Sequence, residues 1–161
     1  MKEHGRDGMK AVLSKSVGGP ETLVLEELPS PQAGPGQVVL SVKACGVNYP
    51  DVLIIEDKYQ FKPPRPFAPG HEIAGDITEL GEGVSEYKVG DRVIGMIGHG
   101  GYATEAVVDM GSLLPMPKNM SYDDGAAFTM TYGTSYYALN TLFIKRHIRI
   151  HFFCSDGFQL L

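Results

Sequence analysis

Apolar and polar residues alternate over much of this chain, and the alternation stops wherever glycine or proline intervenes. In residues 37–44, Val38, Leu40, Val42 and Ala44 fall on one side, and Gln37, Val39, Ser41 and Lys43 on the other. A period of two predicts a half-buried strand. Short apolar runs at 9–13, 23–28, 73–80, 91–97, 102–108 and 113–116 continue the series. Gly18–Pro20 and the Pro/Gly-rich stretch 29–36 separate the first strands, and the triplets Gly34-x-Gly36, Gly81-x-Gly83 and Gly98-x-Gly100 supply further turns. Helical signals are few. Asn48 can cap a helix over 48–57, with Pro50 tolerated in its first turn and Asp51 facing its positive end. Ser121 opens a second helix, and 131–142 forms a third. Many short strands between glycine turns predict a mainly β fold, a partly open β-barrel or sandwich with a few short helices.

Composition narrows the function classes. A chain of 161 residues that is 43% apolar is long enough for one domain with a core of its own. A formal charge of −5, without a basic stripe, argues against nucleic acid as the main partner. Two cysteines, Cys45 and Cys154, make no disulfide framework and point to a reducing compartment. Residues 1–10 are charged and lack the apolar segment of a signal peptide, and no apolar run is long enough to span a bilayer. The expectation is a cytoplasmic protein with no membrane partner, whose residues 1–8 are a loose leader.

The most distinctive stretch is 67–75, Phe-Ala-Pro-Gly-His-Glu-Ile-Ala-Gly. It sets His71 and Glu72 where a loop enters a strand. Neighbours on extended backbone face opposite ways, so the two side chains do not share a pocket unless the loop bends. A His-Glu-x-x-His pair, which would place two metal ligands on one helix face, is absent. None of the G-x-G triplets has the third glycine of a dinucleotide fingerprint.

Six motifs then follow in order: Ala-Cys-Gly-Val-Asn-Tyr-Pro-Asp at 44–51, Pro-Gly-His-Glu-Ile-Ala-Gly at 69–75, Gly-Glu-Gly-Val at 81–84, Val-Gly-Asp-Arg-Val at 89–93, Gly-Tyr-Ala-Thr-Glu-Ala at 101–106 and Thr-Tyr-Gly-Thr-Ser-Tyr-Tyr-Ala at 131–138. Together they resemble the N-terminal GroES-like catalytic domain of the medium-chain dehydrogenase/reductase superfamily, in its zinc-independent NADPH:quinone oxidoreductase branch. The resemblance covers residues 9–142. It implies hydride transfer from NADPH to a quinone or another conjugated carbonyl.

By that resemblance Asn48 matches an asparagine near the nicotinamide, with a plain N-cap as its other role. Tyr59 matches a tyrosine of the substrate cleft, or is an exposed loop aromatic. Thr134 matches a threonine on the nicotinamide side, or is a helix-end hydroxyl. His71 matches the histidine ligand of zinc-dependent relatives. Asn48, however, stands where those relatives carry a cysteine ligand, Cys45 lies three residues too early, and the four-cysteine lobe is missing, so no metal is expected. Asn48, Tyr59, His71 and Thr134 are expected around one concave wall. Asp51 is read as helix-start electrostatics, Asp91 and Arg92 as a turn with an exposed pair, His99 as a turn residue, and Tyr136 and Tyr137 as packing residues of an interdomain helix.

Residues 143–161 depart from the resemblance. Ile148, Ile150 and Phe152 alternate with Arg149 and His151, a strand pattern where the family continues into a nucleotide-binding Rossmann domain. The expectation is a truncated, inactive catalytic domain, whose exposed interdomain face favours self-association. A GroES-like protein-binding module without catalysis is the alternative.

Overall fold

The computed structural model describes residues 8–140. The strand expected within 143–161, and the leader apart from Gly8, lie outside them. Seven strands and three short α-helices follow one another: β1 (Met9–Ser14), β2 (Leu23–Leu28), β3 (Gln37–Gly46), α1 (Tyr49–Ile55), β4 (Glu72–Leu80), β5 (Arg92–Met96), β6 (Glu105–Asp109), β7 (Leu113–Pro115), α2 (Tyr122–Ala126) and α3 (Thr134–Ala138). A π-helical turn, Thr129–Gly133, leads into α3.

β1 and β2 form an antiparallel pair, and the other strands form one sheet in the order β6-β3-β4-β5-β7. Single bridges, Ala11 to Ala103 and Ser14 to Phe67, tie the pair to the rest. The architecture is thus mainly sheet, open rather than closed, with few short helices, as the alternating pattern predicts. β6 falls furthest short of its apolar run: 102–104 stay outside it, where the backbone turns to meet β1 through Tyr102 and Thr104.

The expectation of a half-buried β3 needs correction. Val38, Val39 and Leu40 are all fully buried, so both faces are covered at the start of this strand. β3 lies between β4 and β6, and a central strand covered on both faces leaves no side in water. Its inner residues join Ile73, Ile77, Val93 and Val108 in the main core. A second cluster, Ala74, Ile94, Met116 and Ala126, seats α2 on the sheet.

Arg92 also departs from its reading as an exposed ion pair. Its guanidinium donates to the carbonyls of Lys118 (3.0 Å) and Met120 (2.7 Å) and lies over the Tyr122 ring at 4.5 Å. Arg92 therefore fastens the approach to α2, while Asp91 accepts from the Lys88 amide within its own turn.

Candidate functional site around Asp51

β3 and β4 end side by side, with Gly46 opposite Glu72. The chain leaves β3 at Gly46 and enters α1 through Asn48, whose extended backbone (φ −121°, ψ 158°) makes it the N-cap residue. Asp51, at the third helical position, accepts from the Asn48 amide at 2.8 Å. This satisfies one of the donors that a helix start leaves open.

Asp51 does more than the electrostatic role expected from sequence. It is 3% exposed. Its Oδ1 also accepts from the Gly70 amide (2.9 Å) and from His71 Nδ1 (2.5 Å). One buried carboxylate therefore joins the start of α1 to the loop ahead of β4. The sequence signal was available: an acid three residues after an N-cap can serve a second element when that element brings backbone N–H groups to it. Gly70 permits the approach. It has φ +98°, and a Cβ there would press on Tyr102 and on Cys45 Sγ at 2.6–2.9 Å.

His71 and Glu72 diverge, as extended geometry requires. His71 turns to Asp51 and meets the Tyr59 ring edge-on at 5.9 Å. Glu72 is fully buried, and its Oε1 accepts from the backbone N–H groups of Thr129 and Met130. This carboxylate sits at the start of the helical stretch that carries Thr134, where backbone donors and the helix dipole favour negative charge.

Several polar atoms in this corner are buried without a partner, among them Asn48 Nδ2, His71 Nε2 and Glu72 Oε2. Two of them flank Gly46. A Cβ at Gly46 would lie 3.3 Å from Asn48 Nδ2 and 3.4 Å from Glu72 Oε2, and closer still to the Ala126 carbonyl. Buried polar groups nearly always have partners, so these atoms set the corner apart from the rest of the core.

Charge in this corner also sets the nearby thiol. Burial first, then the Asp51 and Glu72 carboxylates, push Cys45 from 9.0 up to about 12. A thiol so raised is neutral at physiological pH and a weak nucleophile. Among the described residues, no three His, Cys, Asp or Glu side chains gather as a metal-ligand set. Tyr102 is likewise raised, by burial and then by Asp51.

Asn48, Tyr59 and His71 thus come together about Asp51. Thr134 is exposed on α3, and no described hydrogen bond links it to the other three. It follows Met130 by four residues, across the π-helical turn. His99 sits in a turn, between the rings of Phe61 (6.0 Å) and Phe67 (5.7 Å). Tyr136 and Tyr137 are 72% and 69% exposed, so the packing role expected for them finds no partner among the described residues.

Comparison with known proteins adds an independent line. Residues 34–118 match the alcohol dehydrogenase GroES-like domain. A curated relative, the quinone oxidoreductase-like protein 2 homolog of Nematostella vectensis, is 38% identical over 136 residues, which is 84% of this chain and 37% of that protein. The solved structure of the human synaptic vesicle membrane protein VAT-1 homolog-like protein superposes with a TM-score of 0.80 at 30% identity, covering 83% of this chain and 43% of that one. The quinone oxidoreductase of Thermus thermophilus, also solved in complex with NADPH, gives a TM-score of 0.70 at 36% identity, covering 82% of this chain and 40% of that one. The chain therefore spans less than half the length of these relatives. No helix among the described residues is long and apolar enough to cross a membrane.

Proposed function

The chain belongs to the alcohol dehydrogenase GroES-like domain family, in the quinone oxidoreductase branch of the medium-chain dehydrogenase/reductase superfamily, and from that premise we propose that it presents the catalytic wall of an NADPH-dependent reductase of quinones or other conjugated carbonyls. The observation that carries this reading is the amide nitrogen of Asn48, Nδ2, which is buried and unpartnered. Capping at this helix start draws on acceptors, the Asn48 side-chain oxygen and the Asp51 carboxylate, so Asn48 Nδ2 is a donor that the helix does not use. Leaving a buried donor unpaired costs about 1–3 kcal/mol, which an arriving oxygen acceptor recovers.

NADPH, when bound, supplies the hydride. The chain's own residues do the rest. Asn48 Nδ2 donates to a carbonyl oxygen of the nicotinamide or to the acceptor oxygen that gains negative charge. Asp51 and His71 keep the loop and the start of α1 in one arrangement, so that donor needs no reorganisation. Tyr59, whose ring meets His71, supplies a hydroxyl as a second donor, and Thr134 holds the nicotinamide side. The donors present suit the nicotinamide end only. The glycine-rich turn that would grip the pyrophosphate is missing from the sequence. Asn48 replaces the thiolate that zinc would need, and hydride transfer proceeds here without a metal.

On this reading the chain alone binds NADPH too weakly for turnover, and the exposed aromatic face of 128–137 serves contact with another chain or another copy. Steady-state NADPH oxidation with a simple benzoquinone tests it, corrected for the direct chemical reaction. The expected result is no saturable turnover by the chain alone. Saturable turnover that survives Asn48→Ala would contradict the assignment of that donor.

A further inference from the structure

The geometry points to a second small-molecule site, remote from Asp51: the groove between β1–β2 and the outer face of β6 binds a small organic ammonium ion with a short apolar body. The groove encloses about 370 Å³, and none of Asn48, Tyr59, His71, Glu72 or Thr134 lines it. That volume falls at the lower end of ligand pockets, enough for an arylalkylamine. Met9, Ala11 and Leu13, alternate residues of β1, face it from one side, while Glu105, Ala106 and Val107 of β6 line the other.

Charge decides the ligand class. Among the described residues Glu105 is the one carboxylate in the lining, and its Oε2 is buried with no partner. An unpaired buried carboxylate oxygen is costly, and it can only accept. The ligand must therefore donate, and a cationic donor makes roughly twice as strong a bond as a neutral one. No Lys or Arg among the described residues lines the groove to supply that charge. Arg65, close by, is already committed to Asp57 (2.8 Å) and to the Ile55 carbonyl (2.9 Å). The other ionisable wall group, His99, is held below its ordinary range by burial and then by His71, so it stays neutral at pH 7. The His99 ring gives the apolar body an aromatic surface, while the Phe67 ring beside it already carries the Arg65 guanidinium at 5.4 Å. An anion would meet Glu105 unfavourably, and a neutral hydrocarbon would leave it unpaired.

The test is a titration of the isotope-labelled full chain with benzylammonium, followed by amide NMR, with benzyl alcohol and benzoate as controls. Saturable shifts are expected at Met9, Ala103, Glu105 and Val107. Benzylammonium should bind at least about tenfold more tightly than benzyl alcohol, and benzoate not at all. Glu105→Gln should remove that preference, and Asn48→Ala should leave it intact. Val107→Lys, which tethers an ammonium beside Glu105, should abolish binding even if Glu105→Gln fails to fold. Equal affinity for alcohol and ammonium, shifts confined to other residues, unchanged binding in Glu105→Gln or Val107→Lys, or no saturable shift would each overturn the proposal.

Discussion

The corner around Asp51 and the helical stretch from Thr129 to Asn140 contribute to one proposed wall but are built on opposite terms. At Asp51 a single buried carboxylate takes donors from Asn48, Gly70 and His71, so the start of α1 and the loop ahead of β4 are fixed by one side chain. Along the helical stretch Tyr132, Tyr136 and Tyr137 are 64%, 72% and 69% exposed. The N-caps of its π turn and of α3 make no side-chain hydrogen bond. Its anchor to the sheet is Glu72, which reaches two backbone amides. The difference teaches which half of the wall is pre-organised. Asn48 is held by the fold, whereas Thr134 is held through one carboxylate and a turn of helix.

The largest expected effect lies in the rigid corner. Asp51→Ala strands three buried donors and should cost about 3–5 kcal/mol in chemical denaturation. Loss below about 1 kcal/mol would show that the corner tolerates disorder and erase the contrast.

Glu72→Ala comes next. Freeing the Thr129 and Met130 amides should cost about 1–3 kcal/mol, less than at Asp51 because these groups lie nearer to water. Amide hydrogen exchange should speed up from 129 onward, with β3 and β4 unchanged, and Glu72→Gln should keep most of the protection. Uniform acceleration across the sheet would mean that Glu72 supports the core rather than the helix.

A pH effect separates the regions further. Below pH 9 the Cys45 thiol is protonated in both folded and unfolded chains. Between 9.0 and about 12 the folded chain keeps a proton that the unfolded chain loses, so stability falls as pH rises through that window. Tyr102, also raised, adds to the fall at its upper end. Denaturation midpoints from about pH 8 to about pH 10.5 should decline less steeply in Cys45→Ala. A slope that is unchanged, or reversed, would show that burial and the two carboxylates do not hold the thiol protonated.

The smallest effect belongs to the exposed face. Tyr132 stacks on Phe128 at 5.4 Å. Tyr132→Ser should cost no more than about 0.5–1.5 kcal/mol by thermal melting. A larger loss would show that this face is packed in solution, and sedimentation would show whether another copy covers it.

These contrasts also divide what was legible in the sequence. Strand alternation and glycine turns located the sheet, because a period of two is written in adjacent residues. The motif resemblance located Asn48, Tyr59 and His71 near one another. The double burial of β3 was hidden, since Val39 is covered only by neighbours distant in sequence. Asp51 was undervalued for the same reason: its helix-cap role is local, but its partners Gly70 and His71 arrive from about twenty residues away. Arg92 likewise found carbonyls of 118 and 120 rather than its neighbouring acid, which no local pattern could specify.

The central claim is that Asn48 Nδ2 is a donor kept free for an oxygen of cofactor or substrate. The direct test is an NMR titration of the labelled chain with NADP⁺, then with a fully substituted benzoquinone that cannot add to thiols, following the Asn48 side-chain amide. The account predicts a progressive downfield shift of that amide, a smaller shift at the Thr134 backbone, and none at Glu105. An Asn48 side-chain signal that stays fixed while shifts gather elsewhere would contradict it.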